Sequence, residues 1–176
     1  MFILAYYDIV SEGCDFSEDF QKRLGFSKVF SAGKDIGIYD ADKKAGDCDG
    51  CIAYGSNASN MIHMVRSGAK AIMLKDFKIE KKLLEIAIEN GCVLLVPFNG
   101  IISSYGFERS RNLFKASKFL SYATKKDAKI SFISMASSKM DMCSYMQLVE
   151  LAKMLGASEE EARDGISKTT KSVFDG

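Results

Sequence analysis

Short apolar runs alternate along the chain with stretches in which apolar residues recur every three or four positions. The runs at 2–6, 27–30, 51–54, 71–74, 93–96 and 130–133 are each apolar and followed by polar or turn residues, which predicts strands. Helical spacing fills the gaps. One helix is predicted over 57–66 with Gly68 behind it, and another over 79–89 closed by Asn90 and Gly91, glycine supplying the left-handed residue that stops a helix. Further helices are predicted from about Phe107, over 143–155 before Gly156, and from Ser158. In "SEEE" the Ser158 hydroxyl can accept from the backbone of Glu161 while Glu161 reaches back, a capping box. Strand and helix units repeated at this length imply a parallel sheet with outer helices, either a barrel or an open doubly wound sheet. Six strands are legible, so an eight-stranded barrel needs further strands, which would fall in "DIGIYD" and the turn region before it.

The helix from Phe107 changes the picture once charge is added. The chain is nearly neutral, with 24 Lys and Arg against 23 Asp and Glu, yet "FERSRNLFKASKFLSYATKKDAK" carries seven basic residues and two acidic ones. At about 100° per residue, Arg111, Lys115, Lys118 and Lys125 share an arc of about 80°, and Leu113, Ala116, Leu120 and Ala123 gather opposite. This predicts an amphipathic helix with one buried face and one basic stripe. The asymmetry extends further: residues 1–50 hold 6 basic and 10 acidic side chains, whereas residues 61–130 hold 13 and 6. A basic patch of this kind binds a polyanion even in a neutral chain, because counterion release depends on the phosphates contacted. Solvated helix faces are also commonly Lys-rich, which is the plainer account of the same residues.

With 176 residues, 47% of them hydrophobic, and no low-complexity stretch, a single α/β domain over 1–176 is expected. The start, "MFILAYYDIV", has no basic region before its apolar run, and no segment reaches the roughly 20 apolar residues of a membrane span, so a soluble, cytoplasmic protein is expected. Five scattered cysteines then read as reduced thiols. "CDGC" has the CxxC spacing of a zinc or redox pair, but without a second pair or a nearby histidine it reads first as a turn between two small apolar residues.

Catalytic groups in such a fold belong at the C-terminal ends of the strands. Those ends read "YGSNASN", "KDF", "PFNG" and "SMASS", mostly small and neutral. His63 is the only histidine, set within a helical pattern, so a metallohydrolase built on several histidines is excluded. "YGSNAS" can cup a phosphate at the start of the following helix or simply cap it through Ser56 or Asn57.

From Ala71 onward the order of pieces resembles ribonuclease P protein component 3, a TIM-barrel subunit of archaeal and eukaryotic ribonuclease P. The resemblance is carried by "LLEIAIENGCVLLVPFNG", the long helix opened by "RSR", "ISMASSKMDM" where the family tends to read SGASS, and "LVELAKMLGASEEEARDGIS". "CIAYGSNASN" is similar to an earlier strand, loop and helix of the family. The sequence departs from the family pattern at Met135, in place of the Gly of SGASS, and at Leu95, where a Glu is common. It departs again at Cys143 and Met146, where two Arg residues flank a Pro that is here Tyr145.

The resemblance implies a TIM-barrel-like parallel βα barrel, irregular or incomplete, that resembles PHP phosphoesterases without their histidine-rich metal centre. It implies a ribonuclease P subunit that supports 5′-leader removal from precursor tRNA by binding and stabilising the catalytic RNA. The RNA, with Mg²⁺ bound through it, would carry the chemistry, and the lone protein would bind no cofactor. A second small protein subunit is implied, in a two-plus-two heterotetramer. The implied RNA contacts are Arg109, Arg111, Lys115 and Lys118, with Lys139 as the basic residue near the departed loop. An internal pair with Glu108 or Asp141 competes for Arg111. Met140, Met142, Tyr145 and Met146 form an apolar window expected to meet the partner subunit, or to fill the core at helical spacing. The alternative function is a barrel enzyme acting on a small phosphorylated or carboxylated substrate through "YGSNAS" and Lys75.

Overall fold

A computed structural model describes residues 5–43 and 46–175. Its elements run β1 (Tyr7–Val10), α1 (Glu18–Arg23), β2 (Lys28–Ser31), β3 (Ile38–Asp40), β4 (Ile52–Gly55), α2 (Ala58–Arg66), β5 (Ala71–Leu74), α3 (Lys81–Glu89) and β6 (Val93–Pro97). They continue with α4 (Asn99–Ile102), α5 (Gly106–Thr124), β7 (Ile130–Ile133), α6 (Tyr145–Leu155), α7 (Glu159–Asp164), a π-helical turn (Gly165–Thr169) and α8 (Thr170–Ser172). The strand expected at 2–6 lies mostly outside the described residues, and the observed β1 begins at Tyr7. The strand sought in "DIGIYD" is β3.

Every strand pairs in parallel, β1 with β2 in one ladder and β3-β4-β5-β6-β7 in order in the other. The ladders are joined at two seams. Between β7 and β1, Met135 N–H donates to Ile9 O (2.9 Å) and Ser11 N–H to Ala136 O (3.0 Å). Between β2 and β3, a lone bridge joins Ala32 to Ile36, beside Gly33 N–H donating to Ile36 O (2.8 Å). Among the described residues seven strands thus form two parallel ladders, which these bonds link into an irregular, incompletely closed βα barrel.

Alternation along the strands sorts the side chains into two layers, because successive Cβ atoms point to opposite faces. Ile9, Ile36, Ile52, Ala71, Met73, Val93, Leu95, Ile133 and Met135 pack together as the barrel interior. Their neighbours Val10, Ala53, Ile72, Leu94, Val96 and Phe132 face the helices and pack with Met61, Leu84, Phe119, Leu148 and Ile166. Leu95, where the family often carries a carboxylate, is therefore buried among apolar side chains inside the barrel. Met135 has φ +49°, a left-handed backbone that glycine adopts without penalty, which accounts for the glycine common at this position in the resembling family.

Ser158 and Glu161 form the expected box, and Ser144 and Gln147 form a second one that sets the start of α6 at Tyr145 rather than Cys143. The CxxC residues Cys48 and Cys51 flank a turn, as expected, with both side chains buried and their Cα atoms 5.2 Å apart, while Cys14, Cys92 and Cys143 lie elsewhere as free thiols.

Candidate nucleic-acid interface

Helix α5 is 19 residues long, about 28 Å, and lies on the outside of the barrel. Its inner face buries Ala116, Phe119, Leu120 and Ala123. Asn112 ties its first turns to α4 by donating to Gly100 O (3.1 Å), and Ser117 ties it to α6 by donating to Leu155 O (2.8 Å). With the inner face so engaged, Arg109, Arg111, Lys118 and Lys125 are exposed, and Lys115 is half-buried at the edge. The predicted stripe is present.

Most of these cations have no competing partner. Among the described residues no salt bridge involves Arg109, Lys115, Lys118 or Lys139. Arg111 reaches Glu108 at 3.9 Å, both groups solvent-exposed, a contact weak enough to be given up to a phosphate. Asp141, the other rival, instead accepts from the hydroxyls of Ser137 (2.8 Å) and Ser138 (2.9 Å), which hold its carboxyl below the usual carboxylate range. Lys139 lies apart from the stripe, in the turn after β7, with its ammonium 5.7 Å from the Phe20 ring of α1. Arg109 projects some 200° around the helix from Arg111, so it and the stripe serve different sides of the first turn.

Aromatic side chains interleave with the charge, and this was not read from the sequence. Phe107 is 83% exposed and Phe114 61%, and the Lys118 ammonium sits 4.5 Å above the Phe114 ring. Periodicity alone assigns a phenylalanine in a helix to the core. The signal available was angular: Phe107 and Phe114 project with Arg111 and Lys118, not with Leu120.

The Met window divides. Met142 and Tyr145 turn inward: Ser134 Oγ donates to Met142 Sδ (3.7 Å), and the Tyr145 ring stacks on Tyr6 with centroids 4.2 Å apart. Met140, 92% exposed, and Met146 face outward, together with Met154 at the far end of α6.

The barrel mouth, the place for an enzyme site, is already occupied by protein groups. Asn57 caps α2 by accepting from Asn60 N–H, as one reading of "YGSNAS" expected. The N–H groups of Ser56 and Asn57 that could have cupped a phosphate both donate to Asp42 Oδ1 at 2.8 Å. Those bonds, and then Lys75 at 3.7 Å, hold the Asp42 carboxyl below its ordinary range. An anionic substrate would have to displace this carboxylate. A cleft of about 310 Å³ remains beside Lys75, with Ile38, Tyr54, Met73 and Met135 among its lining. His63 is exposed on α2, and among the described residues no three His, Cys, Asp or Glu side chains converge as metal ligands.

No family model matches the sequence. Relatives do: the chain is 29% identical over 100 residues to ribonuclease P protein component 3 of Methanosarcina mazei, and 30% over 96 residues to that of Methanosarcina acetivorans. Ribonuclease P protein component 3 is the family this chain resembles. The alignments cover 57% and 54% of the chain but only 42% and 40% of those proteins, so the chain spans about two fifths of the component 3 relatives it matches. The fold agrees. A chain in the structure of archaeal ribonuclease P with mature tRNA superposes with a TM-score of 0.64 at 16% identity, over 97% of this chain and 81% of that one. The crystal structure of an uncharacterized protein matches 71% of this chain and 33% of its own, at a TM-score of 0.54 and 13% identity. At these identities the superpositions establish a shared fold and nothing finer.

Proposed function

We propose that this chain is a protein subunit of a ribonuclease P. It supports removal of the 5′ leader from precursor tRNA by binding and stabilising the catalytic RNA together with a second small protein subunit. The observation that carries the reading is the exposed basic face of α5 on a component 3-like fold, where the cations lie open to phosphate. Arg111 offers two donors to one phosphate, and Lys115 and Lys118 add diffuse attraction. Arg109, on another side of the first turn, and Lys139, in the turn after β7, would make separate contacts. The outward-facing Met140 and Met146 are where the partner subunit would rest, since flexible thioethers adapt to irregular protein surfaces. A two-plus-two assembly is the expected form. Met142 and Tyr145, which pack inward, would support that surface from beneath.

Reconstitution is the direct test. Cleavage of precursor tRNA by the cognate RNA and remaining subunits is expected to rise when this chain is added, and an unchanged rate would count against the proposal. Replacing Arg111 and Lys115 together with Ala is expected to change stability by less than about 0.5 kcal/mol per site, because Arg111 is exposed and Lys115, at the edge of the helix, takes part in no salt bridge among the described residues. RNA affinity should weaken, and the slope of log affinity against log salt should shrink by nearly one for each phosphate contact removed. A titration at several salt concentrations decides it: an unchanged slope means that these cations meet no phosphate.

The lone chain is expected to have no nuclease activity with Mg²⁺ or Zn²⁺, since among the described residues no histidine cluster or set of converging carboxylates is found. RNA cleavage by the pure protein that a strand-end substitution abolishes would overturn this.

A further inference from the structure

Two phenylalanines held in water on one helix face call for a reason beyond charge. Phe107, Arg111, Phe114 and Lys118 follow one another at intervals of four, three and four residues, which places all four within an arc of about 60° and alternates ring with cation. The rings are 83% and 61% exposed and lie roughly 10 Å apart along the helix axis. The only acidic residue of α5 is Glu108, off this line and already beside Arg111.

Duplex phosphates would need only the cations, because the bases of a duplex are stacked on each other and offer no free face. An apolar protein partner would need only the rings, and the cations between them would have to be desolvated or paired with acids. Both together match an unpaired strand, whose bases present open π-faces while its backbone presents charge. Lys118, already 4.5 Å above the Phe114 ring, shows that the ring attracts a cation on one side, and the rest of its exposed surface faces solvent.

We propose that this face of α5 is a single-strand platform, on which Phe107 and Phe114 each stack an unpaired nucleobase while Arg111 and Lys118 hold the intervening phosphates. The inference rests on the RNA-binding reading above and narrows it to unpaired segments of the RNA.

The test uses the whole chain and two probes, a fluorescein-labelled oligouridylate and a fully paired RNA duplex of the same length, both followed by anisotropy. Phe107→Ala with Phe114→Ala is expected to weaken oligouridylate binding by about tenfold or more, since each stacked base contributes on the order of a factor of five or greater. Duplex binding and the salt slope should stay within twofold of the parent. Both rings are solvent-exposed, so the variant should fold, which circular dichroism checks. The chain has no tryptophan, so Phe114→Trp adds a single reporter whose emission should be quenched by oligouridylate and not by duplex.

Retained oligouridylate affinity in the double Ala variant, or equal losses on both probes, would overturn the platform and leave the RNA-binding reading in place. Failure of the parent to bind either probe would remove both. If light scattering shows the parent to be a dimer that the double Ala variant dissolves, with RNA affinity unchanged, the face belongs to a second copy of this chain and the platform falls.

Discussion

Truncating Phe132 to Ala is expected to cost about 3 to 5 kcal/mol, a large part of the roughly 5 to 15 kcal/mol that holds a domain of this size together. Phe132 is buried on the helix-facing side of β7, and its ring lies parallel to that of Phe98 with centroids 6.1 Å apart. Gly165 closes the contact from above. A Cβ added to Gly165 would stand 2.7 Å from Phe132 Cδ2 and 3.1 Å from Ile130 O, so the turn can rest on the strand only because that atom is missing. The Gly165→Ala variant should lose about 1 to 3 kcal/mol by overpacking. Combining it with Phe132→Ala should cost less than the two losses added together, because the added methyl meets the space vacated by the ring. Urea midpoints of the four proteins measure this, and strict additivity would show that Gly165 and Phe132 do not share the contact.

The second large effect concerns acid. Asp8 is fully buried; its Oδ1 accepts from Ile9 N–H (2.8 Å) and Ser134 N–H (2.7 Å), while its Oδ2 has no hydrogen-bond partner. Burial pushes the carboxyl up from 3.8 to about 6, against the opposing pull of those hydrogen bonds. A carboxyl whose folded value is raised favours folding when protonated, so its contribution is fully present below about pH 4 and is lost as pH rises through 6. The loss amounts to about 2 kcal/mol between pH 4 and pH 7. Asp42, Asp141 and Glu159, all held below their ordinary values, act in the opposite sense, so the difference between the parent and Asp8→Asn isolates the effect. Asn keeps the Oδ1 acceptor and removes the charge. Its stability relative to the parent should rise steadily from pH 4 to pH 7 and then level off; parallel stability curves would show that Asp8 titrates alike in both states.

How far the sequence reveals this molecule depends on how local each cause is. β5 and β7 were placed residue for residue because their apolar runs end at turn residues on both sides. β3 was nearly invisible: three residues, none fully buried, held as a strand by β4 rather than by their own pattern. β1 slid along the run "MFILAYYDIV" because its register is set by β2, from Tyr7 opposite Lys28, and not by hydrophobicity. The short helix α1 buries none of its residues, so no periodic face announced it.

The interface shows the same division. The cations of α5 were legible because charge and angle are both local, whereas the exposed rings of Phe107 and Phe114 were assigned to neither face. That Asp42 would fill the phosphate cup of "YGSNAS" is a contact across 14 residues with no spacing rule behind it.

The two seams of the barrel are unequal. Asp8, Ile9 and Ser11 bind the β7–β1 side through backbone and side chains, while β2 and β3 meet at little more than Ala32 and Ile36. Native proteins open locally where protective bonds are fewest. The barrel therefore has a zipper with one short row of teeth, and β1, α1 and β2 form the flap beside it. Thermal breathing would part the wall at Gly33 and Lys34 while the five-stranded sheet stays whole, so the amides there should be the first in the wall to trade hydrogen for deuterium.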